Sequence, residues 1–124
     1  MRIGELSRQT GASVRSLRHY EEKGLLTASR LESGYRDYNA LAVDQVKTIR
    51  FYLSLGFTTE QIASFLTCVM MNKEAFCQQI LPIYEQKLKE LDEQIVLLSG
   101  IRANLTERIT SIWAEAEPKG SREE

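Results

Sequence analysis

The carboxyl-terminal half of the chain carries apolar residues that recur alternately every three and four positions. Along this pattern one heptad position is Arg102, and the others are Leu81, Tyr84, Leu88, Leu91, Ile95, Leu98, Leu105, Ile109 and Ile112. A stripe at these spacings is typical of a coiled coil. It predicts a dimerisation helix over residues 80–113, and this helix needs a partner because alone it cannot bury the stripe.

The first third of the chain shows shorter helical patterns separated by turn signals. Helical spacing begins at Ile3 and stops at Gly11. Ser13 is a good N-cap for a second helix, which Gly24 ends. Two short helices joined by a tight turn are the pattern of a helix-turn-helix.

Residues 25–38 have no helical period and contain the turn signal at Gly34, which predicts a small two-stranded wing. Asn39 can cap a third helix. Thr58 and Gln61 have the spacing of a capping box for a fourth helix. The chain is therefore predicted to be mainly α.

The predicted organisation has four parts. A winged helix-turn-helix domain covers residues 1–66, a connector 67–79, the dimerisation helix 80–113 and a flexible tail 114–124. No apolar run approaches the length of a membrane span, and no signal peptide is visible after Met1. Two cysteines are too few for a disulfide scaffold, so the expected location is cytoplasmic with no membrane partner.

Charge alone does not predict nucleic-acid binding. The formal net charge of the 124 residues is −1. Residues 1–66 hold nine Lys and Arg against seven Asp and Glu, a net charge of only +2. Binding to DNA must therefore come from the local placement of individual cations.

An ordered set of short motifs resembles the MerR family of bacterial transcription regulators. The motifs are Ile3-Gly4-Glu5-Leu6, Thr10-Gly11, Leu17-Arg18-His19-Tyr20-Glu21, Gly24-Leu25-Leu26, Arg30, Ser33-Gly34-Tyr35-Arg36 with Tyr38, and Leu55-Gly56-Phe57. Two departures are visible: Ala28 stands where Pro is usual, and His19 stands where Tyr is commoner.

The resemblance implies a winged helix-turn-helix followed by a long antiparallel coiled-coil dimerisation helix. It implies a homodimer on a palindromic promoter operator in double-stranded DNA whose spacer is too long. A signal makes such a regulator distort the DNA so that RNA polymerase can use the promoter. This kind of recognition relies on deformable DNA more than on base contacts.

The candidate DNA-binding residues lie on the second helix and the wing. They are Ser13, Arg15, Ser16, Arg18, His19, Tyr20, Arg30, Gly34, Tyr35, Arg36 and Tyr38. On the helix, cations one turn apart suit base edges and phosphates, while Tyr20 could contact phosphate or only pack. On the wing, Arg36 and Tyr38 are expected to clamp phosphate, although cross-strand aromatic packing is the alternative. Glycine at position 34 is better explained by turn geometry.

Cys68 and Cys77 are the candidate sensor residues, with three interpretations. They are two small buried hydrophobic residues, or thiols that sense oxidants or electrophiles within or between subunits, or part of a metal site. Metal-sensing relatives take further ligands from a loop after the helix, and residues 111–124 contain no Cys or His. No metal and no cofactor is therefore predicted.

Met70, Met71, Val69 and Phe76 could line a pocket for an apolar effector, although packing is the commoner role of such a cluster. The leading hypothesis is a dimeric sequence-specific transcription regulator. The alternatives are a thiol-based sensor regulator that uses Cys68 and Cys77, and a coiled-coil interaction module with a vestigial helix-turn-helix. One His and no nucleophile or phosphate-loop motif argue against an enzyme.

Overall fold

A computed structural model describes residues 1–116 of the chain. The protein is mainly helical, which confirms the predicted fold class. The helices are α1 (Ile3–Thr10), α2 (Val14–Glu22), α3 (Ala40–Ser54), α4 (Thr59–Asn72) and α5 (Ile80–Ala116), with a 3₁₀ turn at Glu74–Phe76 and two short strands, β1 (Ser29–Arg30) and β2 (Arg36–Asp37).

The helix-turn-helix is formed by α1 and α2. Gly11 adopts a left-handed conformation with φ of 77° and ends α1, a conformation that glycine takes without steric cost. Two residues later the Ser13 hydroxyl accepts the backbone N–H of Ser16 and caps α2. The guanidinium of Arg50 on α3 donates to the Thr10 carbonyl and holds the turn against the body of the domain.

The predicted wing is present as a two-stranded antiparallel ribbon. Ser29 pairs with Asp37, and Arg30 pairs with Arg36. Gly34, with φ of 89°, makes the turn between them.

The core lies beneath the helix-turn-helix, where α3 and α4 pack together. The rings of Tyr52 and Phe65 meet edge to face with centroids 4.7 Å apart, and Phe57 completes the cluster. At the start of α4, Thr58 and Gln61 form both hydrogen bonds of the predicted capping box. Because α1 and α2 are short, they depend on this platform for their stability.

The predicted connector, residues 67–79, is partly helical. Helix α4 continues to Asn72, because its buried face extends as far as Val69. The remaining segment contains the 3₁₀ turn and Cys77, which forms a disulfide with Cys68 of α4, with 5.7 Å between their Cα atoms. The interpretation of these two cysteines as separate buried hydrophobic residues is therefore wrong.

The chain divides into two compact units, Met1–Ile83 and the residues from Tyr84 onwards, so that α5 begins in the first and makes up the described part of the second. Helix α5 has 37 residues and is roughly 55 Å long at 1.5 Å per residue. Pro82 lies in its first turn, where a missing N–H is tolerated.

Residues 114–116, at the start of the predicted flexible tail, are helical. The rest of that predicted tail lies outside the described residues. Within the described residues no helix combines the length and the apolar character that crossing a membrane requires.

Candidate nucleic-acid interface

Helix α2 has one buried and one exposed face. Leu17 and Tyr20 point into the core, whereas Arg15, Arg18 and His19 are exposed. The predicted cations of the recognition helix thus share the solvent side. The i, i+3 spacing of Arg15 and Arg18 places both guanidinium groups on one helical face.

Ser13 and Ser16, which the sequence singled out as candidate DNA contacts, are hydrogen-bonded to each other at the start of α2. The Ser13 hydroxyl donates to the Ser16 hydroxyl at 3.0 Å while it accepts the Ser16 backbone N–H at 3.1 Å. These bonds pair the serines with each other and fix the end of α2 that a DNA groove would meet.

A concave groove of about 310 Å³ lies between α2 and the wing and joins the two segments that the sequence singled out. Cations, acids and aromatic rings line it together: Arg2, Ile3, Arg18, Glu21, Glu22, Gly34, Tyr35, Arg36 and Tyr38. A second and more open concavity runs along α2, and Arg18 lines both. Arg18 is therefore central to the candidate surface.

Glu21 of α2 links the recognition helix to the wing. Its Oε2 lies 2.5 Å from Nε of Arg36, and its Oε1 accepts the Tyr38 hydroxyl at 2.8 Å. Burial of Tyr38, with the hydrogen bond to Glu21 as a second cause, raises the pKa of its phenol to about 12. The wing is thereby held against α2 by a charge-assisted network.

The structure disagrees with the prediction that Tyr38 clamps phosphate. The residue is 1% exposed, and its hydroxyl is already donated to Glu21. Tyr20 is also buried, which favours packing over phosphate contact for that side chain. The burial of Tyr38 could not be predicted, because the sequence does not say which face of so short a strand is covered.

The other wing residues remain on the surface. Tyr35 and Arg36 are about half exposed, and Arg30 is exposed and donates to the Gly34 carbonyl at 3.2 Å. Arg30 therefore also shapes the turn. Gly34 serves the turn geometry, as the alternative interpretation expected.

Arg2 is a candidate contact that the sequence analysis missed. Its guanidinium lies 3.8 Å from the centroid of the Tyr35 ring, a cation–π contact that places the charge in the groove beside Arg36. A cation immediately before the first helix was the only available signal, since the contact partner lies 33 positions away in the sequence.

Neither an enclosed pocket at the predicted apolar cluster nor a cluster of metal ligands is found among the described residues. Val69 is buried, but Met71 and Phe76 are among the most exposed apolar side chains, so the predicted cluster does not enclose a pocket. A cavity of about 310 Å³ lies instead against α3 and α4 and includes Phe51, Tyr52 and Val69. Among the described residues no three His, Cys, Asp or Glu side chains gather into a possible metal site.

A winged helix-turn-helix with an exposed cationic helix face defines a DNA-binding transcription regulator. The family described as MerR HTH family regulatory protein matches residues 1–67, and the one described as MerR, DNA binding, matches residues 43–108. The chain belongs to the MerR family, whose similar members are regulators and not enzymes.

Two relatives show the extent of the similarity. The HTH-type transcriptional regulator HmrR of Rhizobium leguminosarum bv. viciae is 30% identical over 95% of this chain and 91% of its own length. The mercuric resistance operon regulatory protein of Bacillus cereus is 33% identical over 84% of this chain and 79% of its own.

Two crystal structures share the fold at lower identity. The transcription regulator PbrR691 from Ralstonia metallidurans CH34, in complex with lead(II), gives a TM-score of 0.76 at 24% identity, covering 86% of this chain and 83% of that one. HiNmlR, a MerR family regulator lacking the sensor domain and bound to promoter DNA, gives 0.57 at 22%, covering 96% and 94%.

Proposed function

We propose that this regulator acts as a homodimer in which two α5 helices pair as an antiparallel coiled coil. The carrying observation is the exposure of the apolar stripe in the single chain. Seven of its side chains are each at least 55% exposed: Leu81, Leu88, Ile95, Leu98, Leu105, Ile109 and Ile112. Full burial of such a side chain is worth about 1.5–3 kcal/mol, so association of two stripes is strongly favoured.

The dimer would present the helix-and-wing surface twice about a dyad. A palindromic operator in double-stranded DNA matches this symmetry, with one half-site for each copy. Arg18 and its neighbours on α2 are assigned to the major groove, while Arg2, Arg30 and Arg36 are assigned to phosphates. Phosphate contacts of this kind fix the register without reading sequence.

Distortion of the promoter is the proposed mode of action. Helix α2 offers few exposed side chains for base edges, mainly Arg15, Arg18 and His19. Specificity must then come in part from how easily the DNA deforms. A dimer that bends and untwists an over-long spacer would realign the promoter elements for RNA polymerase, which is the partner proposed from the family resemblance.

The proposal does not extend to a metal signal. The names of two similar proteins refer to mercuric resistance and to lead(II). In this chain the whole sequence contains two Cys and one His, and Cys68 and Cys77 are bonded to each other. While that bond is closed neither sulfur is a thiolate, and tight binding of soft metals relies on thiolate ligands.

The dimer is tested by two neighbouring leucines of α5. Leu98 belongs to the stripe and is 63% exposed, whereas Leu97 is 64% exposed but lies one position off it. Leu98→Glu is expected to give monomers in sedimentation velocity, because each dimer would bury two charges in its seam. Leu97→Glu serves as the matched control and is expected to remain dimeric.

Other outcomes would contradict the proposal in distinct ways. A dimer that persists in Leu98→Glu would place the interface elsewhere. A wild-type protein that is monomeric would favour the alternative of an interaction module whose coiled coil pairs with a different protein.

A further inference from the structure

We propose that Cys68 and Cys77 are a redox-active pair whose disulfide sets the conformation of the link between α4 and α5. The signal would be a small-molecule oxidant of the class of low-molecular-weight disulfides. This inference rests on the proposed function and deepens it, because it names the signal to which the dimer responds.

The bond joins α4 to the segment that leads into α5. Cys68 is on α4, and Cys77 lies three residues before α5, where its carbonyl accepts the N–H of Ile80 at 3.2 Å. The Cα separation of 5.7 Å is within the usual range for a disulfide. Opening the bond therefore frees the residue that leads directly into the first turn of α5.

The loop closed by this bond contains an unusual backbone conformation. Lys73 has φ of 64° and ψ of 157°, a region that is occupied almost only by glycine. Among the described residues it is the one non-glycine residue with positive φ. Such a conformation persists only where surrounding structure over-determines it, and the closed loop supplies that constraint. Reduction would let Lys73 relax and the link change shape.

Accessibility favours reversible chemistry at this bond. Cys77 is 4% exposed, but Cys68 is half-buried and borders the exposed residue Thr67. Of the two cysteines, Cys68 is therefore the one that an external thiolate is expected to attack. A protein that works on promoter DNA meets a reducing thiol pool, and disulfides that form in such compartments are usually transient and redox-sensing.

The chemistry balances as thiol–disulfide exchange. In oxidation, one cysteine thiolate attacks a low-molecular-weight disulfide, forms a mixed disulfide and expels one small thiol. The second cysteine thiolate attacks the protein sulfur of that mixed disulfide and expels the second small thiol. The protein loses two electrons and two protons, and the small disulfide is reduced to two thiols. In the reverse direction a small thiolate attacks Cys68 and releases Cys77.

The closed form is assigned as the DNA-distorting form. Distortion requires the DNA-binding unit to transmit force to the dimer helix, and a covalently tied link does this with less loss of conformational freedom than an open one. The open form would still bind the operator through α2 and the wing. It would leave the DNA closer to its relaxed shape.

The first test is titration of the full chain with mixtures of reduced and oxidised glutathione, read by alkylation of free thiols and mass spectrometry. A reversible change from dithiol to intrachain disulfide within the titration is expected. Cysteines that stay reduced at every ratio, that cannot be reduced once oxidised, or that link two chains would overturn the proposal.

Two variants at one position test the strained backbone. Lys73→Gly removes the steric penalty, so closure of the loop is expected to become more favourable by about fivefold in the equilibrium with glutathione. Lys73→Ala is the matched control, because it removes the charged side chain and keeps the Cβ. Equal equilibria in the two variants would show that the backbone of Lys73 is not coupled to the bond.

The functional test uses a duplex enriched from a randomised pool by the wild-type protein, with fluorophores at both ends. The oxidised protein is expected to change energy transfer across the duplex at least twofold more than the reduced protein. The Cys68→Ser, Cys77→Ser double variant is expected to give the reduced response under both conditions. A redox effect that survives in this variant, or none in the wild type, would overturn the inference.

Failure of the proposed function has a different signature. In that case no dyad-symmetric duplex would be enriched, or the wild-type protein would be monomeric, whatever the state of the cysteines.

Discussion

Glu21 on the recognition helix and Arg36 on the wing form an ion pair, with 2.5 Å between the carboxylate Oε2 and the guanidinium Nε. An acid so close to a candidate DNA surface is expected to repel phosphate. Here it instead positions a cation, and the same carboxylate accepts the Tyr38 hydroxyl. The helix and the wing are therefore coupled parts of one surface.

Glu21→Gln tests that role directly. If Glu21 positions Arg36, its loss should weaken DNA binding by about fivefold, about 1 kcal/mol, although a negative charge has been removed. The measurement is a titration of a duplex enriched by the wild-type protein, followed by fluorescence anisotropy at physiological salt.

The matched control is Glu22→Gln, which removes the same charge from the same groove and leaves the ion pair with Arg36 intact. This variant should bind as well as the wild type or slightly more tightly. If both variants bind more tightly, Glu21 acts only by repulsion and the positioning role is wrong.

Arg18 and Arg2 are expected to contribute in different ways. Arg18→Ala should lose about 1–3 kcal/mol of binding free energy to the preferred operator and relax the preference at one or two base pairs, as for loss of a base-edge contact. Arg2→Ala should weaken binding to all sequences alike and lower the slope of log affinity against log salt by about one. Binding titrations at several salt concentrations, on matched and mismatched duplexes, separate the two.

Arg8→Ala is the control for this pair, because Arg8 pairs with Glu5 at 2.6 Å and does not line the groove. Unchanged affinity of Arg18→Ala on the preferred duplex would show that the recognition-helix assignment is wrong.

Tyr38→Phe should change stability at alkaline pH. Its phenol has a pKa of about 12 in the folded protein, against about 10 when unfolded. The folded state thus holds the phenol proton more tightly. The stabilisation that this gives is complete below pH 10 and is lost as the pH rises from 10 to 12. Over this range the wild type should lose about 2 kcal/mol of unfolding free energy through this group.

Chemical denaturation at pH 8 and pH 11 measures the effect as a difference between variants. Tyr38→Phe should be less stable at pH 8, since it loses a hydrogen bond to a carboxylate, and should show a smaller decline at pH 11. Tyr35→Phe, at an exposed ring, should decline as the wild type does. A Tyr38→Phe protein with the wild-type decline would remove Tyr38 as the cause.

Local elements followed closely from local sequence. Gly11 and the capping residues Ser13 and Thr58 act within one helical turn, so their neighbours in the chain are sufficient to predict them. The link after α4 was harder to predict, because Val69 extends the helix by packing on the core and not by propensity. The disulfide joins residues nine positions apart, a pairing that spacing alone leaves open.

The sequence was sufficient to name residues of the candidate site, but not to predict how their side chains contact one another. The exposed face of α2 and the wing turn follow from periodicity and from glycine at position 34. The burial of Tyr38 and the stacking of Arg2 on Tyr35 depend on how the wing folds back over α1 and α2. Those contacts join residues 17 or more positions apart and are not encoded in any local period.

The sequence by itself determined the helices, their caps, the wing turn and the stripe of α5, because each is set by residues within a few positions of one another. It also carried the motifs of the MerR family. Only the tertiary structure decided that Glu21 pairs with Arg36 and that Tyr38 is buried. It also decided that Cys68 bonds to Cys77 and closes the loop that contains Lys73. Such contacts depend on the packing of α3 and α4 beneath the wing and the helices, which brings distant parts of the chain together.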